Sequence, residues 1–168
     1  AQRTTPIAED ETAGQLFDRL AALAAEMIGP ALDDLEAGRL TERAQDPALA
    51  SFAPKLEKAD GLVDWSLPPG QVRDFIRGMT PWPGAFTNHR SGSAAPRRLI
   101  LLASRPIEDA TIAPAGTVLR ADDELHVAAG GGLLRILRLQ SEGARAMDAA
   151  DWLRGRCAAA GDTFGPQS

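Results

Sequence analysis

Cysteine and histidine are scarce in this chain. Its 168 residues include one cysteine, Cys157, and two histidines. A lone cysteine closes no internal disulfide, and these three residues form no metal-ligand pattern, so we expect neither a disulfide framework nor a metal site. A reducing compartment, most simply the cytoplasm, is the default for such a chain.

Long hydrophobic runs are also missing. No apolar stretch approaches the roughly 18 residues that a membrane-spanning helix requires, and the longest, such as residues 99–103, have the length of strands. The N-terminus has no basic segment followed by an apolar one, so we expect no secretory signal. The chain begins at Ala1 rather than at a methionine, which suits a natural start further upstream.

The composition that remains is globular, with 44% hydrophobic and 24% charged residues, and suits one domain with an extra element. The net charge of −5 argues weakly against a nucleic-acid partner. The charge is unevenly distributed, however: residues 1–48 carry −6, whereas residues 71–105 carry +5, with six arginines against Asp74 alone. From charge alone, an ordinary solvated surface remains the better interpretation of the basic segment.

Residues 12–38 carry the pattern of an amphipathic helix. Thr12 suits the N-cap, Gly29-Pro30 should kink or split the helix, and Gly38 suits its end. The leucines recur at near-helical spacing and predict a face that packs in a core. Such a helix needs a packing partner, and the chain supplies no obvious one.

After a linker at residues 41–63, the pattern predicts a helix capped by Ser66 and ended by Pro81, with Val72, Phe75, Ile76 and Met79 on its buried face. Short strands separated by turns then predict a small barrel, followed by a short helix near Trp152 and a frayed or turn-like tail from Gly161. The five predicted strands are residues 85–90, 97–103, 116–120, 124–129 and 133–139.

The tryptophans Trp65, Trp82 and Trp152 are expected in the core, with each indole N–H seeking an acceptor. Trp82 stands between two prolines, which fix the backbone, and we favour a plug of the barrel over stacking on a base. The acidic residues Glu142, Asp148 and Asp151 pair with no nucleophile or metal ligand in the sequence, so we interpret them as caps and surface groups.

Six basic residues are candidates for contacts with phosphate groups. Lys55 lies in an irregular segment and could reach a phosphate, or equally could pair with Glu57 on the surface. Arg73 and Arg77 are spaced i, i+4 and share one helix face, and with three strand arginines they could line a phosphate backbone, which positions nucleic acid without reading bases. The full set is Lys55, Arg73, Arg77, Arg90, Arg97 and Arg98.

Several blocks resemble the methionyl-tRNA formyltransferases, in the order in which that family carries them. Residues 80–87, Thr-Pro-Trp-Pro-Gly-Ala-Phe-Thr, resemble its Asn-Pro-Trp-Pro-Gly-Ala-Phe motif. Residues 10–20, 52–56 and 64–66 are similar to its Asp-Thr-Ala-Gly helix and its Tyr-Ala-x-Lys-Ile and Asp-Trp-Ser blocks, and residues 139–155 resemble its Leu-Gln-x-Glu-Gly block with the following helix. Each block alone is weak, but together they cover nearly the whole chain.

The resemblance implies a C-terminal fragment of α+β class: an N-terminal helical segment and linker, followed by a small OB-like β-barrel with flanking helices. Residues 1–48 would be the end of the catalytic domain and its linker, and residues 49–168 the barrel domain. The family's catalytic Asn, His and Asp and its folate loop match nothing here, and neither His89 nor His126 matches the catalytic histidine. We therefore expect no catalytic, cofactor-binding or metal-binding residue in this chain.

The resemblance further implies a parent enzyme of translation initiation, which transfers a formyl group from 10-formyltetrahydrofolate to the amino group of initiator methionyl-tRNA. This cytoplasmic chain would contribute tRNA docking through the six basic residues and would be inactive alone. Its expected partners are the initiator tRNA, the missing catalytic domain and, through the exposed helix, a second copy.

Two departures from the family pattern bear on this expectation. Thr80 replaces the usual Asn, and Ala144 and Ala146 stand where relatives often carry Lys or Arg, which weakens the carry-over of tRNA contacts. The alternatives are the equivalent barrel of another folate-dependent formyltransferase or hydrolase-type relative, and a stand-alone interaction module.

Overall fold

The computed structural model describes residues 1–155 and 157–166. The chain divides into two compact units, Ala1–Leu56 and Glu57–Ser168. Among the described residues, no helix is both long enough and apolar enough to cross a membrane.

The first unit is built around one helix, α1, at Ala13–Glu36. Thr12 caps it as predicted: its hydroxyl accepts from the Gln15 N–H, and the Gln15 side chain accepts from the Thr12 N–H. The predicted split does not occur, since the helix continues through Pro30, and Gly38 lies beyond its end with a φ of 67°. No residue of α1 is buried, so the predicted core face is not covered within the first unit.

The second unit begins with a 3-10 turn at Lys58–Gly61 and the helix α2 at Pro69–Gly78. The predicted cap at Ser66 is wrong, because Pro68 precedes the helix and the Ser66 hydroxyl instead donates to the Asp64 carboxylate at 2.6 Å. The predicted buried face is confirmed: Val72 and Ile76 are buried, and Phe75 and Met79 pack against the core.

Seven strands follow α2 and form one antiparallel sheet with the order β3-β4-β5-β2-β1-β7, with β6 added to β5. Hydrogen bonds from the Phe164 N–H to the Gly116 carbonyl and from the Val118 N–H to the Asp162 carbonyl join the β7 end to the β3 end, which closes the sheet into a small barrel. The strands are β1 Ala85–Arg90, β2 Arg97–Ala110, β3 Val118–Ala121, β4 Leu125–Ala129, β5 Gly132–Ser141, β6 Met147–Asp148 and β7 Thr163–Gly165.

All five predicted strands are present, and β2 continues well past its predicted end. The sequence missed the short strands β6 and β7. The predicted frayed tail is wrong for the described residues, because β7 pairs with β1 through His89 and Phe164; the last two residues of that tail lie outside the described part.

The barrel core contains Trp65 and Trp152, as predicted. The Trp65 indole N–H donates to the Thr87 hydroxyl at 3.1 Å, and that of Trp152 donates to the Ser141 hydroxyl at 3.1 Å. Trp152 lies on the last helix, α3, at Ala149–Arg154. Both buried indoles are therefore satisfied, as buried polar groups must be.

Candidate nucleic-acid interface

The two helical candidates, Arg73 and Arg77, converge on one carboxylate. Asp74 accepts from the Arg73 Nη2 at 2.9 Å and from the Arg77 Nε at 2.9 Å. Burial alone would raise the pKa of Asp74, but the hydrogen bonds and charges of the two arginines outweigh it and lower that pKa. One carboxylate thus serves two guanidinium groups and holds Arg73 and Arg77 together on α2.

The strand candidates are placed by the register of β1 and β2. Arg98 lies opposite Asn88, and Arg90 follows Asn88 by two residues, so Arg90 and Arg98 project from the same sheet face. The Arg98 guanidinium lies 3.7 Å from the centroid of the Phe86 ring, a cation–π contact that holds the charge at the barrel surface.

Arg97 is exposed and lies opposite the buried His89, on the face of the sheet that Arg98 does not use. Arg97 and Arg98 nevertheless both line a cavity of about 410 Å³ that also contacts Glu142. The strands thus group Arg90, Arg97 and Arg98 at one end of β1 and β2. Lys55 is exposed and belongs to the first unit.

The sequence patterns did not predict a second row of basic residues, which runs across four strands of the sheet. The pairing of β3, β4, β5 and β2 places Arg120, His126, Arg135 and Arg105 opposite one another in succession. Glu124 accepts from Arg120 at 3.2 Å, Arg135 at 2.7 Å and His126 at 2.7 Å, and Arg120 also pairs with Asp122 and Asp123. These three acids balance the three arginines, which makes this row a poor site for a polyanion.

The prediction that Trp82 lies in the core is wrong. Its side chain is 56% exposed, in the turn between α2 and β1, whereas Trp65 and Trp152 are nearly inaccessible. The prolines on either side confine the backbone, as the sequence indicated, but they direct the indole outward. The core contains Val72 and Ile76 of α2 but not Trp82.

The buried titratable pair of the barrel is His89 and Asp162. The Nε2 of His89 lies 2.8 Å from the Asp162 carboxylate, which also accepts from the Ala159 N–H at 2.9 Å. The His89 ring makes edge-on contacts with Trp152 and Phe164. These contacts tie the C-terminal segment to β1 and assign the pair to the structure of the barrel.

Among the described residues, no group of three or more His, Cys, Asp or Glu side chains could hold a metal ion. The acidic residues Asp148 and Asp151 serve as surface groups: Asp148 precedes α3 and pairs loosely with Arg138 at 3.6 Å, and Asp151 pairs with Arg154. What the geometry offers is a set of surface cations on a closed barrel, beside an exposed indole.

Comparison with known proteins identifies the barrel. The sequence pattern of the family described as "Formyl transferase, C-terminal domain" matches residues 55–157. The chain belongs to this family.

Relatives in this formyl transferase family match beyond the barrel. A protein of Geotalea uraniireducens (strain Rf4) named methionyl-tRNA formyltransferase is 41% identical over 165 residues, covering 98% of this chain and 50% of the relative. One of the same name from Geobacter metallireducens is 40% identical over 154 residues, covering 92% of this chain and 48% of the relative. The chain therefore spans about half the length of the curated relatives it matches.

Solved structures share the fold of this formyl transferase domain at lower identity. A variant of HypX from Aquifex aeolicus is 19% identical with a TM-score of 0.64, covering 93% of this chain and 27% of that chain. HypX in complex with tetrahydrofolic acid gives a TM-score of 0.61 over 90% of this chain and 26% of that chain. At this identity the similarity concerns the fold alone.

Proposed function

We propose that this chain is the tRNA-docking half of a methionyl-tRNA formyltransferase. The complete enzyme would transfer a formyl group from 10-formyltetrahydrofolate to the amino group of initiator methionyl-tRNA, a cytoplasmic step of translation initiation. The main support is that relatives of this name match along nearly the whole chain, although the chain spans about half of their length.

Residues 1–48 are proposed as the end of the catalytic domain and its linker, and residues 49–168 as the barrel domain. The support comes from α1, whose apolar side chains are left open: Phe17 is 73% exposed, and Ile28 and Leu35 are more than half exposed. A face of this size on a helix without buried residues is typical of an interaction surface. We propose that the rest of the enzyme covers it.

A second copy of this chain is the other occupant that we expected for this face. Sedimentation velocity over a hundredfold range of concentration separates the two proposals. A concentration-dependent dimer that Phe17→Glu dissociates would support pairing between copies, whereas a monomer throughout would leave the face to the missing half.

The chain alone is proposed to be inactive. Bound 10-formyltetrahydrofolate would supply the formyl group, but the described residues do not fit it. Among the described residues, the only buried side-chain polar atom without a hydrogen-bond partner is the Ser104 hydroxyl. These residues therefore offer no group of unpaired donors that could bind a pterin. His89 and Asp162 satisfy each other inside the core. Detectable formyl transfer by this chain would contradict this proposal.

tRNA docking is proposed to use Lys55, Arg73, Arg77, Arg90, Arg97 and Arg98. The two arginines of α2 and the grouped arginines of β1 and β2 support it, because cations at a surface bind phosphate and release its counterions. Such contacts would hold the tRNA without reading its sequence.

The test is fluorescence anisotropy with labelled initiator tRNA at 50 and 200 mM salt, comparing the wild-type chain with Arg73→Ala/Arg77→Ala. We expect affinity to fall with salt and with the double substitution, and the slope of log K against log salt to become shallower by about 0.7 to 0.9 for each phosphate group that the variant no longer neutralises. The matched control is Arg120→Ala/Arg154→Ala, which removes two arginines already paired with neighbouring acids. No binding at low salt, or equal losses of affinity in both double variants, would refute the docking proposal.

A further inference from the structure

The turn that joins α2 to β1 presents the only accessible indole among the three tryptophans. Trp65 is 4% exposed and Trp152 is 6% exposed, whereas Trp82 is 56% exposed. Within residues 1–155 and 157–166, the Trp82 ring has no aromatic or cation–π partner. A large apolar ring with a free face is costly to leave in water and is typical of a contact surface.

Hydrogen bonds fix both ends of this turn. The Thr80 hydroxyl donates to the Ile76 carbonyl at 2.8 Å, and the Gly84 N–H donates to the Met79 carbonyl at 2.8 Å. Gly84 adopts a φ of 89°, a backbone conformation that residues other than glycine rarely adopt. With Pro81 and Pro83 on either side, the indole is held in place before any partner arrives, so binding orders little of the backbone.

The same turn places Trp82 beside the arginines of α2. The Thr80 N–H lies 3.3 Å from the Arg77 carbonyl oxygen, and the two residues from Thr80 to Trp82 extend at most about 7 Å. Trp82 is therefore within about 11 Å of the last turn of α2, a length that about three stacked nucleotides of one strand span.

Because the exposed ring and the two arginines of α2, Arg73 and Arg77, lie within the reach of one short strand, we propose that Trp82 is a stacking platform for an unpaired base of RNA, whose neighbouring phosphates lie against α2. The inference rests on the proposed tRNA docking and adds to it a contact with a base. Aromatic rings bind bases of any identity, because every base has a π-face, so the platform would add affinity with little sequence preference.

Charge favours RNA over a protein partner for this surface. Between residues 71 and 105 the chain carries six arginines and one acidic residue, Asp74, although its net charge is −5. A nucleic-acid strand brings bases and phosphates together and matches both features of this surface, the apolar ring and the adjacent cations.

The distribution of tryptophans provides a direct test on the whole chain. Acrylamide is an uncharged quencher, and it should quench mainly the emission of Trp82, because the other two indoles are buried. Saturating initiator tRNA should quench or shield that component. The Trp82→Phe variant should lack the accessible emission from the outset, which identifies its source.

Affinity gives the second readout. Trp82→Leu keeps an apolar side chain but removes the ring, and it should weaken tRNA binding by about 5- to 150-fold, whereas Trp82→Phe should weaken it much less. The matched control is Ile112→Ala, which removes a fully exposed apolar side chain and should leave affinity unchanged. Urea unfolding of each variant should match the wild type, since Trp82 lies outside the core.

Four results would overturn the stacking platform. Unchanged Trp82 emission at saturating tRNA, or equal affinity of the wild type and Trp82→Leu, would refute it while leaving tRNA docking intact. Equal losses of affinity in Trp82→Leu and Ile112→Ala would reduce it to a general apolar effect. A wild-type chain that binds no tRNA at low salt would refute the docking proposal together with the platform.

Discussion

Asp162→Asn is the substitution whose effect the structure predicts most sharply. The Asp162 carboxylate is buried and accepts from His89 Nε2 at 2.8 Å and from the Ala159 N–H at 2.9 Å. Asparagine has nearly the same shape but no charge and one acceptor oxygen, so the two charge-assisted hydrogen bonds are broken or weakened. Each contributes about 1.5 to 3 kcal/mol.

We therefore expect Asp162→Asn to lower the free energy of unfolding by about 2 to 4 kcal/mol and the Tm by about 10 to 20 °C for a domain of this size. Urea unfolding followed by tryptophan emission measures the change, because Trp65 and Trp152 lie in the barrel core. The control is Asp109→Asn, which removes the same charge from an exposed position and should change the free energy of unfolding by less than about 0.5 kcal/mol.

The pH dependence of this difference is a separate check. Burial acts to raise the pKa of Asp162, but hydrogen bonds from Ala159 and His89 outweigh it and hold that pKa below its ordinary value of 3.8. A carboxyl with a depressed pKa stabilises the fold fully above its unfolded-state pKa and loses that contribution as the pH falls through its folded-state pKa. The stability gap between wild type and Asp162→Asn should therefore shrink as the pH falls below about 4. A gap under about 0.5 kcal/mol at pH 7, or one that does not shrink in acid, would refute this account of the pair.

Other substitutions test the packing of the barrel. The Ser104 hydroxyl is buried without a hydrogen-bond partner, so Ser104→Ala should leave the free energy of unfolding unchanged or raise it by up to about 1 kcal/mol; a decrease of more than that in urea unfolding would reveal a partner for the hydroxyl. Gly116 has a φ of 85°, and a Cβ there would lie 2.1 Å from the Phe164 carbonyl oxygen, so Gly116→Ala should destabilise the barrel by about 3 kcal/mol or more. Gly70 on α2 has open space around it, and Gly70→Ala should instead stabilise by about 0.5 to 1 kcal/mol in the same assay. Similar effects at the two glycines would contradict the closure of the barrel at Gly116.

Local patterns predicted the regular elements of the fold well. The i, i+3 and i+4 spacing of Val72, Phe75, Ile76 and Met79 found the buried face of α2, and all five strands with clear boundaries are present. The strand β7 was not predicted because its three residues are too few to show an alternating pattern of apolar and polar side chains. Its pairing depends on partners in β1 more than seventy residues away, and this dependence cannot be read from local sequence.

The candidate interface was only partly predictable. Sequence spacing correctly placed Arg73 and Arg77 on one helix, but it did not reveal that both bind Asp74. Arg105 lies opposite Arg135 because a bulge in β2 shifts the strand register, and the composition does not predict that shift. For Trp82, the prolines indicated a rigid turn but did not predict that the indole is exposed.

The closing role of β7 has a consequence for synthesis of the chain on the ribosome. Until residues 163–165 emerge, the sheet keeps two open strand edges, at β1 and near residues 116–118. Open edges of a partly folded sheet are templates for pairing with other chains. The short strand β7 therefore protects both of these edges, and a nascent chain stalled before Thr163 would expose them to aggregation.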